Sequence, residues 1–295
     1  MGQCNERMVA QEVETFSVPQ AGFSARVRTH RKLGWKRDLP DFRDKVLAIP
    51  HTKKSVVPAR VDLRPKVNFE IYDQGHLGSC TANAICAAFH FEQVRQGVND
   101  FTPSRLFVYY NERAMEGSIP YDSGASIRDG IKSTQQLGVC PESLWPYDVE
   151  MFTQKPPEDD YKLALNNKCQ EYARVPQTLE DMKACIAEGF PFAFGFAVFE
   201  SFFTTAVRTT GVMPMPKEWE QCQGGHAVLA VGYDDEKKWF IVRNSWGADW
   251  GDQGYFYMPY AFIGDENCAG DAWAIRFVEG QDFPCTPALE LKHEK

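Results

Sequence analysis

The stretch Asp73-Gln74-Gly75-His76-Leu77-Gly78-Ser79-Cys80-Thr81-Ala82-Asn83 sets glycines just ahead of a long apolar run, so the backbone turns tightly and enters a helix at a thiol. Unpaired N–H groups and the dipole at a helix N-terminus favour negative charge, which draws the pKa of a cysteine there toward the nucleophilic thiolate. Gln74, in the same turn, carries a side-chain amide able to donate to a developing oxyanion. A lone cysteine is more commonly a small buried hydrophobe, and the rest of the chain has to choose between the two readings.

A nucleophilic thiol needs a base within hydrogen-bond reach and a group that orients the base. The chain has six histidines. His90 follows Cys80 along one helix and lies roughly 15 Å away at 1.5 Å per residue. His76 sits in the glutamine turn with nothing to hold its ring, and His30, His51 and His293 fall in the leader, near its end, or in the tail. His226 remains, in Gly224-Gly225-His226-Ala227-Val228-Leu229-Ala230-Val231-Gly232-Tyr233, where glycines admit a close backbone and the apolar run makes a buried strand. Further on, Arg243-Asn244-Ser245-Trp246-Gly247-Ala248-Asp249-Trp250-Gly251 ends a second strand with an amide beside two indoles. Asn244 can accept from the imidazole N–H and fix its tautomer, while a tryptophan lid keeps water off that bond.

The elements that must position these groups follow from the pattern. The run from Cys80 is apolar on nearly every face and stops at Gly97, as a buried helix capped by glycine would. Further helices are expected from Pro103 and over Ile127 to Leu137. After the Pro-rich piece 145–157 comes a helix over Leu179 to Glu188, then strands over Phe190 to Phe199, Gly225 to Tyr233, Lys238 to Asn244 and Gly254 to Met258. Helices first and strands later predict an α+β fold.

A formal charge of −8 with no Lys/Arg run argues against nucleic-acid or anionic-membrane partners. No apolar stretch reaches the ~18 residues of a membrane span, and the N-terminus lacks the apolar core of a signal peptide, so an intracellular or virion-associated enzyme is expected. Nine cysteines, with no CxxC spacing, read as reduced thiols rather than a metal site; no metal or cofactor is expected.

These motifs resemble those of the papain-like cysteine peptidases, the family of papain and the cathepsins, over about residues 58 to 277. Gly78-Ser79-Cys80 resembles the family's nucleophile motif, Gln74 its oxyanion glutamine, His226-Ala227-Val228 its base, and Asn244-Ser245-Trp246-Gly247 with Trp250-Gly251 and Gly254-Tyr255 its third signature. The resemblance implies a helical lobe over about 75–165 and a β-barrel lobe over about 166–277, with the cleft between. It implies catalysis by Cys80, His226, Asn244 and Gln74 through a thiolate–imidazolium pair and a thioester, on a protein or peptide substrate. Ser123-Gly124 stands where the family has a double glycine, making Gly124 a substrate contact; Gly225 and Trp246 are further candidates, and Trp273 is placed at the floor of the specificity pocket. Thr81 replaces the aromatic that usually follows the nucleophile, and Leu77 replaces a usual disulfide cysteine. Cys222 and Cys268 fall near the positions of a barrel-lobe disulfide.

Residues 1–57, polar with scattered aromatics such as Trp35 and Phe42, are expected to be a prosegment that docks on the cleft as an internal inhibitor, and 278–295 a tail. Two alternatives are an acyl-transferring or isopeptide-cleaving enzyme of the same fold and a catalytically silent protein-binding module.

Overall fold

The computed structural model describes residues 31–66, 69–98 and 100–279. Expectations for residues 1–30 and for the tail beyond 279 lie outside the described residues. In chain order the elements are β1 (Trp35–Lys36), α1 (His51–Lys54), β2 (Arg60–Asp62), α2 (Cys80–Gln96), α3 (Arg105–Met115), β3 (Ala125–Ser126), α4 (Ile127–Leu137), α5 (Glu158–Ala164) and β4 (Cys169–Arg174). There follow α6 (Leu179–Ala187), β5 (Phe192–Phe199), α7 (Thr205–Thr210), β6 (Cys222–Asp234), β7 (Trp239–Arg243), β8 (Tyr255–Pro259), α8 (Tyr260–Ile263) and β9 (Ala269–Val278).

Helix α2 ends where Gly97 takes φ 65°, a left-handed conformation that costs glycine nothing and lets its N–H close on Gln93 and Val94 carbonyls. Its side chains from Cys80 to Gln93 are all buried, because α3 and α4 cover one side and strands β5, β6 and β9 the other. Helix α3 starts one residue after Ser104, whose hydroxyl accepts from the Phe107 N–H, and α4 starts after Ser126, which does the same for Asp129. Both helices therefore begin at a serine cap.

Seven of the strands form one antiparallel sheet in the order β4-β9-β5-β6-β7-β8, with β2 also paired to β6. The fold is α+β, as expected, but the sheet stays open, with β4 and β8 as its edges, and no closed barrel forms among the described residues. Along β5 the residues alternate large and small: Phe192, Phe194 and Phe196 point to one face, where they meet Phe240, Phe202, Phe256 and Phe262. Ala193, Gly195 and Ala197 take the other face.

A short parallel pair, β1 with β3, joins the N-terminal segment to the helical side. Every cysteine among the described residues is a free thiol. Cys222 and Cys268 are not bonded to each other; each sulfur instead faces a local acceptor, Gly224 O and Asp265 Oδ2 respectively.

Phe192 is fully buried, and Phe192→Ala would leave a cavity in the aromatic face of the sheet. Unfolding by urea should show a loss of about 3–5 kcal/mol.

Candidate active site

Cys80 is the first residue of α2, and Ser79 before it makes no side-chain cap bond, so the first N–H groups of the helix lack intrahelical partners. Gln74 is fixed by a two-sided tie to Ser245: its backbone N–H donates to Ser245 O at 2.9 Å, and the Ser245 hydroxyl donates to Gln74 Oε1 at 2.7 Å. Because Oε1 accepts, Nε2 is the donor end of the amide. It donates to Leu77 O at 2.9 Å and to Lys32 O at 3.0 Å.

His226 and Asn244 come together through the β6–β7 hairpin, in which Leu229 pairs with Arg243. Asn244 Oδ1 lies 2.8 Å from His226 Nε2 and also accepts the Ser245 N–H at 2.9 Å. An amide oxygen only accepts, so Nε2 carries the imidazole proton and Nδ1 keeps a lone pair. Nδ1 is buried and has no hydrogen-bond partner among the described residues. Trp246 stacks on the imidazole at 4.9 Å between centroids and is itself braced edge-on by Trp250 and Phe202 and stacked by Phe203. The indole shields the His226–Asn244 bond from water.

Burial dominates the electrostatics. It pushes the Cys80 thiol up to about 12, against the opposing pull of the Ala227, Gly34 and Thr81 backbone, and pushes the His226 imidazole down to about 4. The expected depression of the thiol pKa by the helix N-terminus is therefore overridden while the cleft is covered, and burial favours the neutral form of both the thiol and the imidazole. Behind the nucleophile, Thr81 Oγ1 donates to Glu112 Oε1 at 2.6 Å, and complete burial holds the Glu112 carboxyl well above its ordinary range. Thr81 thus supplies a hydroxyl to a buried acid where the family resemblance leads one to expect an aromatic.

What covers the cleft is the chain itself. A Cβ on Gly34 would lie 1.8 Å from Gly78 O, and one on Gly124 would lie 2.0 Å from Gly34 O, so three glycines cross backbone to backbone beside Cys80. The Trp35 ring fills the space over Gly195 and Gly225, where an added Cβ would meet it at 1.9 and 2.7 Å, and the Trp35 carbonyl lies 2.5 Å from the Gly225 position. Arg31 pairs with Asp73, Lys32 with Asp122 and Lys36 with Glu116. Asp38 is held by Trp273 Nε1 at 2.9 Å and Arg174 at 3.2 Å, and its N–H donates to Asp271 at 2.7 Å. Of the expected substrate contacts, Gly124 and Gly225 face this segment, Trp246 covers His226, and Trp273 is buried with its indole N–H turned to Asp38.

A family profile described as papain family cysteine protease matches residues 57–271. The chain belongs to the papain family of cysteine proteases. An uncharacterised peptidase C1-like protein of Acanthamoeba polyphaga mimivirus is 44% identical over 272 residues, 84% of this chain and 88% of that protein. Pro-cathepsin H of Medicago truncatula is 29% identical over 227 residues, covering 69% of this chain but only 57% of its own length. Among solved structures, xylellain, a cysteine protease from Xylella fastidiosa, matches with TM-score 0.78 and 43% identity over 85% of this chain and 98% of that one. Procathepsin L 3 from the larval midgut of Tenebrio molitor shares the fold at TM-score 0.62 and 19% identity, over 83% and 75% of the two chains.

As a papain-family member the chain is a thiol hydrolase. Among the described residues no helix is long and apolar enough to cross a membrane, and no cluster of His, Cys, Asp or Glu is arranged to hold a metal ion. Sequence reasoning gave no role to Ser245 or to Asp122, which accepts the Gly78 N–H at 3.0 Å. Ser245 lies inside the Asn244 motif, and its neighbour was the only signal available.

The imidazole carries a measurable signature. In the unfolded chain His226 takes up a proton near pH 6.5, whereas in the folded chain it refuses one until about pH 4, so its contribution to stability is complete above 6.5 and is lost as pH falls from there to 4. Urea unfolding of His226→Gln should lack a pH-dependent loss on the order of 3 kcal/mol that the parent chain shows across that window.

Proposed function

We propose that the chain hydrolyses peptide bonds with Cys80 as nucleophile and His226 as base and acid, and that residues 1–57 keep it as a zymogen. The observation that carries the reading is the His226 Nε2–Asn244 Oδ1 bond of 2.8 Å, which leaves Nδ1 as a basic lone pair. Once the cleft is open and hydrated, the Cys80 proton passes to Nδ1 and the thiolate attacks the peptide carbonyl carbon. Gln74 Nε2 and the Cys80 N–H receive the oxyanion. The C–N bond breaks as His226 returns its proton to the leaving amine, giving a thioester. His226 then deprotonates a water that cleaves the thioester, releasing the acid and restoring the thiol.

The zymogen half rests on the Lys32 carbonyl, which takes the Gln74 donor that an oxyanion would need, and on Trp35 and Gly34, which fill the space beside Cys80. The start of the family match at residue 57 supports a boundary near 57/58 between prosegment and peptidase domain. The likeness to procathepsin L 3 of Tenebrio molitor supports a proform of this kind.

A peptidyl epoxide should label the enzyme once residues 1–57 are removed, and Cys80→Ala should abolish labelling. Gln74→Ala should cut kcat by about 10²–10³-fold. Removal of the segment without any gain in peptide hydrolysis would refute the zymogen half; absence of labelling after removal would favour a silent binding fold.

A further inference from the structure

The two groups assigned to the oxyanion lie on different supports. Gln74 is tied to the sheet side through Ser245, whereas the Cys80 N–H belongs to helix α2. Between them run Gly75, at φ 60°, and Gly78, so the connecting turn does not by itself fix their separation. An oxyanion donor works only within about 0.2 Å of its ideal distance, near 2.7–3.1 Å. Within the turn Gln74 Nε2 donates to Leu77 O at 2.9 Å and the Leu77 N–H reaches Gln74 O only at 3.4 Å, and neither bond extends to Ser79 or Cys80.

Tyr147 bridges the gap. Its hydroxyl donates to Gln74 O at 3.0 Å and also meets Ser79 Oγ at 2.5 Å. A carbonyl only accepts, so the phenolic proton must go to Gln74, and Ser79 must donate its own proton to the phenolic oxygen. Ser79 Oγ then has a lone pair for Asn83 Nδ2, 3.1 Å away, while Asn83 Oδ1 accepts from Arg105 at 3.3 Å. Arg105 stacks on the Tyr147 ring at 4.0 Å and is held by a two-pronged bond to Glu142 at 2.6 and 2.8 Å. Every proton in this relay therefore has one direction, from the Arg105 cation through Asn83, Ser79 and Tyr147 to the backbone of Gln74.

We infer that Tyr147 is a positioning residue, whose hydroxyl ties the residue before the nucleophile to the glutamine turn and so fixes the spacing of the two oxyanion donors. This rests on the oxyanion role proposed above for Gln74. Tyr147 touches no reacting atom; it acts through the groups that do. Losing its hydroxyl leaves the Gln74 carbonyl with only the long Leu77 N–H bond of 3.4 Å and the Ser79 hydroxyl proton without its acceptor, while leaving the substrate-binding surface intact, so the cost falls on the transition state.

The test uses full-length variants freed of the leader by one limited-proteolysis protocol, with active sites counted by a peptidyl epoxide. Tyr147→Phe should lower kcat per active site about tenfold with KM within about twofold, and Ser79→Ala, which breaks the same relay from the other side, should match it. The double variant should be no slower than either single one. In a Gln74→Ala background the effect of Tyr147→Phe should shrink below about twofold. An unchanged kcat in both single variants, a parallel rise in KM, or a full loss persisting without the Gln74 side chain would overturn the inference. A Gln74→Ala enzyme as fast as the parent would instead overturn the oxyanion assignment beneath it. Should Tyr147→Phe yield no titratable sites, Ser79→Ala decides.

Discussion

Three hydrogen bonds between the 72–74 segment and the 245–247 segment hold the site together. Gln74 N–H to Ser245 O and Gly247 N–H to Tyr72 O, which together pair Asp73 with Trp246, and the Ser245 hydroxyl to Gln74 Oε1 stitch the turn that precedes the nucleophile to the strand end that carries the imidazole's partner. Cys80 rides on one side of this seam and His226 with Asn244 on the other. Backbone pairing is insensitive to side-chain rotamers, so the relative placement of thiol and imidazole is set by main chain. The side chains only have to finish the geometry.

The seam also explains how much polar material can be buried nearby. Arg105 from α3 and Arg243 from β7 reach the 70–73 backbone from opposite sides, donating to Asp73 O and Glu70 O, and both guanidinium groups lie over Tyr72. Each is satisfied by carbonyls, by Glu142 in the case of Arg105, and by aromatic faces. His90 is another buried group of this kind: its Nδ1 meets the Tyr72 hydroxyl at 3.3 Å, its Nε2 meets Asp100, and Phe69 stacks on its ring at 4.1 Å. The elimination of His90 as the base on distance along α2 is consistent with this separate, structural set of partners.

Much of the architecture was legible because residue type and period carried it. The glycine at 97 marks the end of α2, the bounds of α4 are those its pattern suggests, and β5 to β8 appear where β-branched and aromatic residues cluster. Strands β4 and β9 were not foreseen. Cys169-Gln170-Glu171-Tyr172-Ala173-Arg174 is a polar edge, and β9 carries Asp271 at φ 55°, an acid that a strand tolerates here only because Arg174 and the Asp38 N–H neutralise and satisfy it from distant parts of the chain. Within the site, Cys80, His226, Asn244 and Gln74 stood out because few residue types do such chemistry. Tyr147 did not, since a phenol after a Trp-Pro pair looks like a loop anchor until its hydroxyl is seen between the Gln74 carbonyl and the Ser79 hydroxyl. Likewise, no sequence rule gives the thiol a pKa near 12; that depends on what lies over it.

The crossing of Gly34 between Gly78 and Gly124 is a contact of main chain with main chain, at distances that exclude even a methyl group. It carries no net charge, so neither added salt nor titration can loosen it, in contrast to the Arg31, Lys32 and Lys36 ion pairs on its flanks. The segment's grip therefore has a screened component and an unscreened one. Ionic strength alone would fray its edges and leave the crossing point over Cys80 closed.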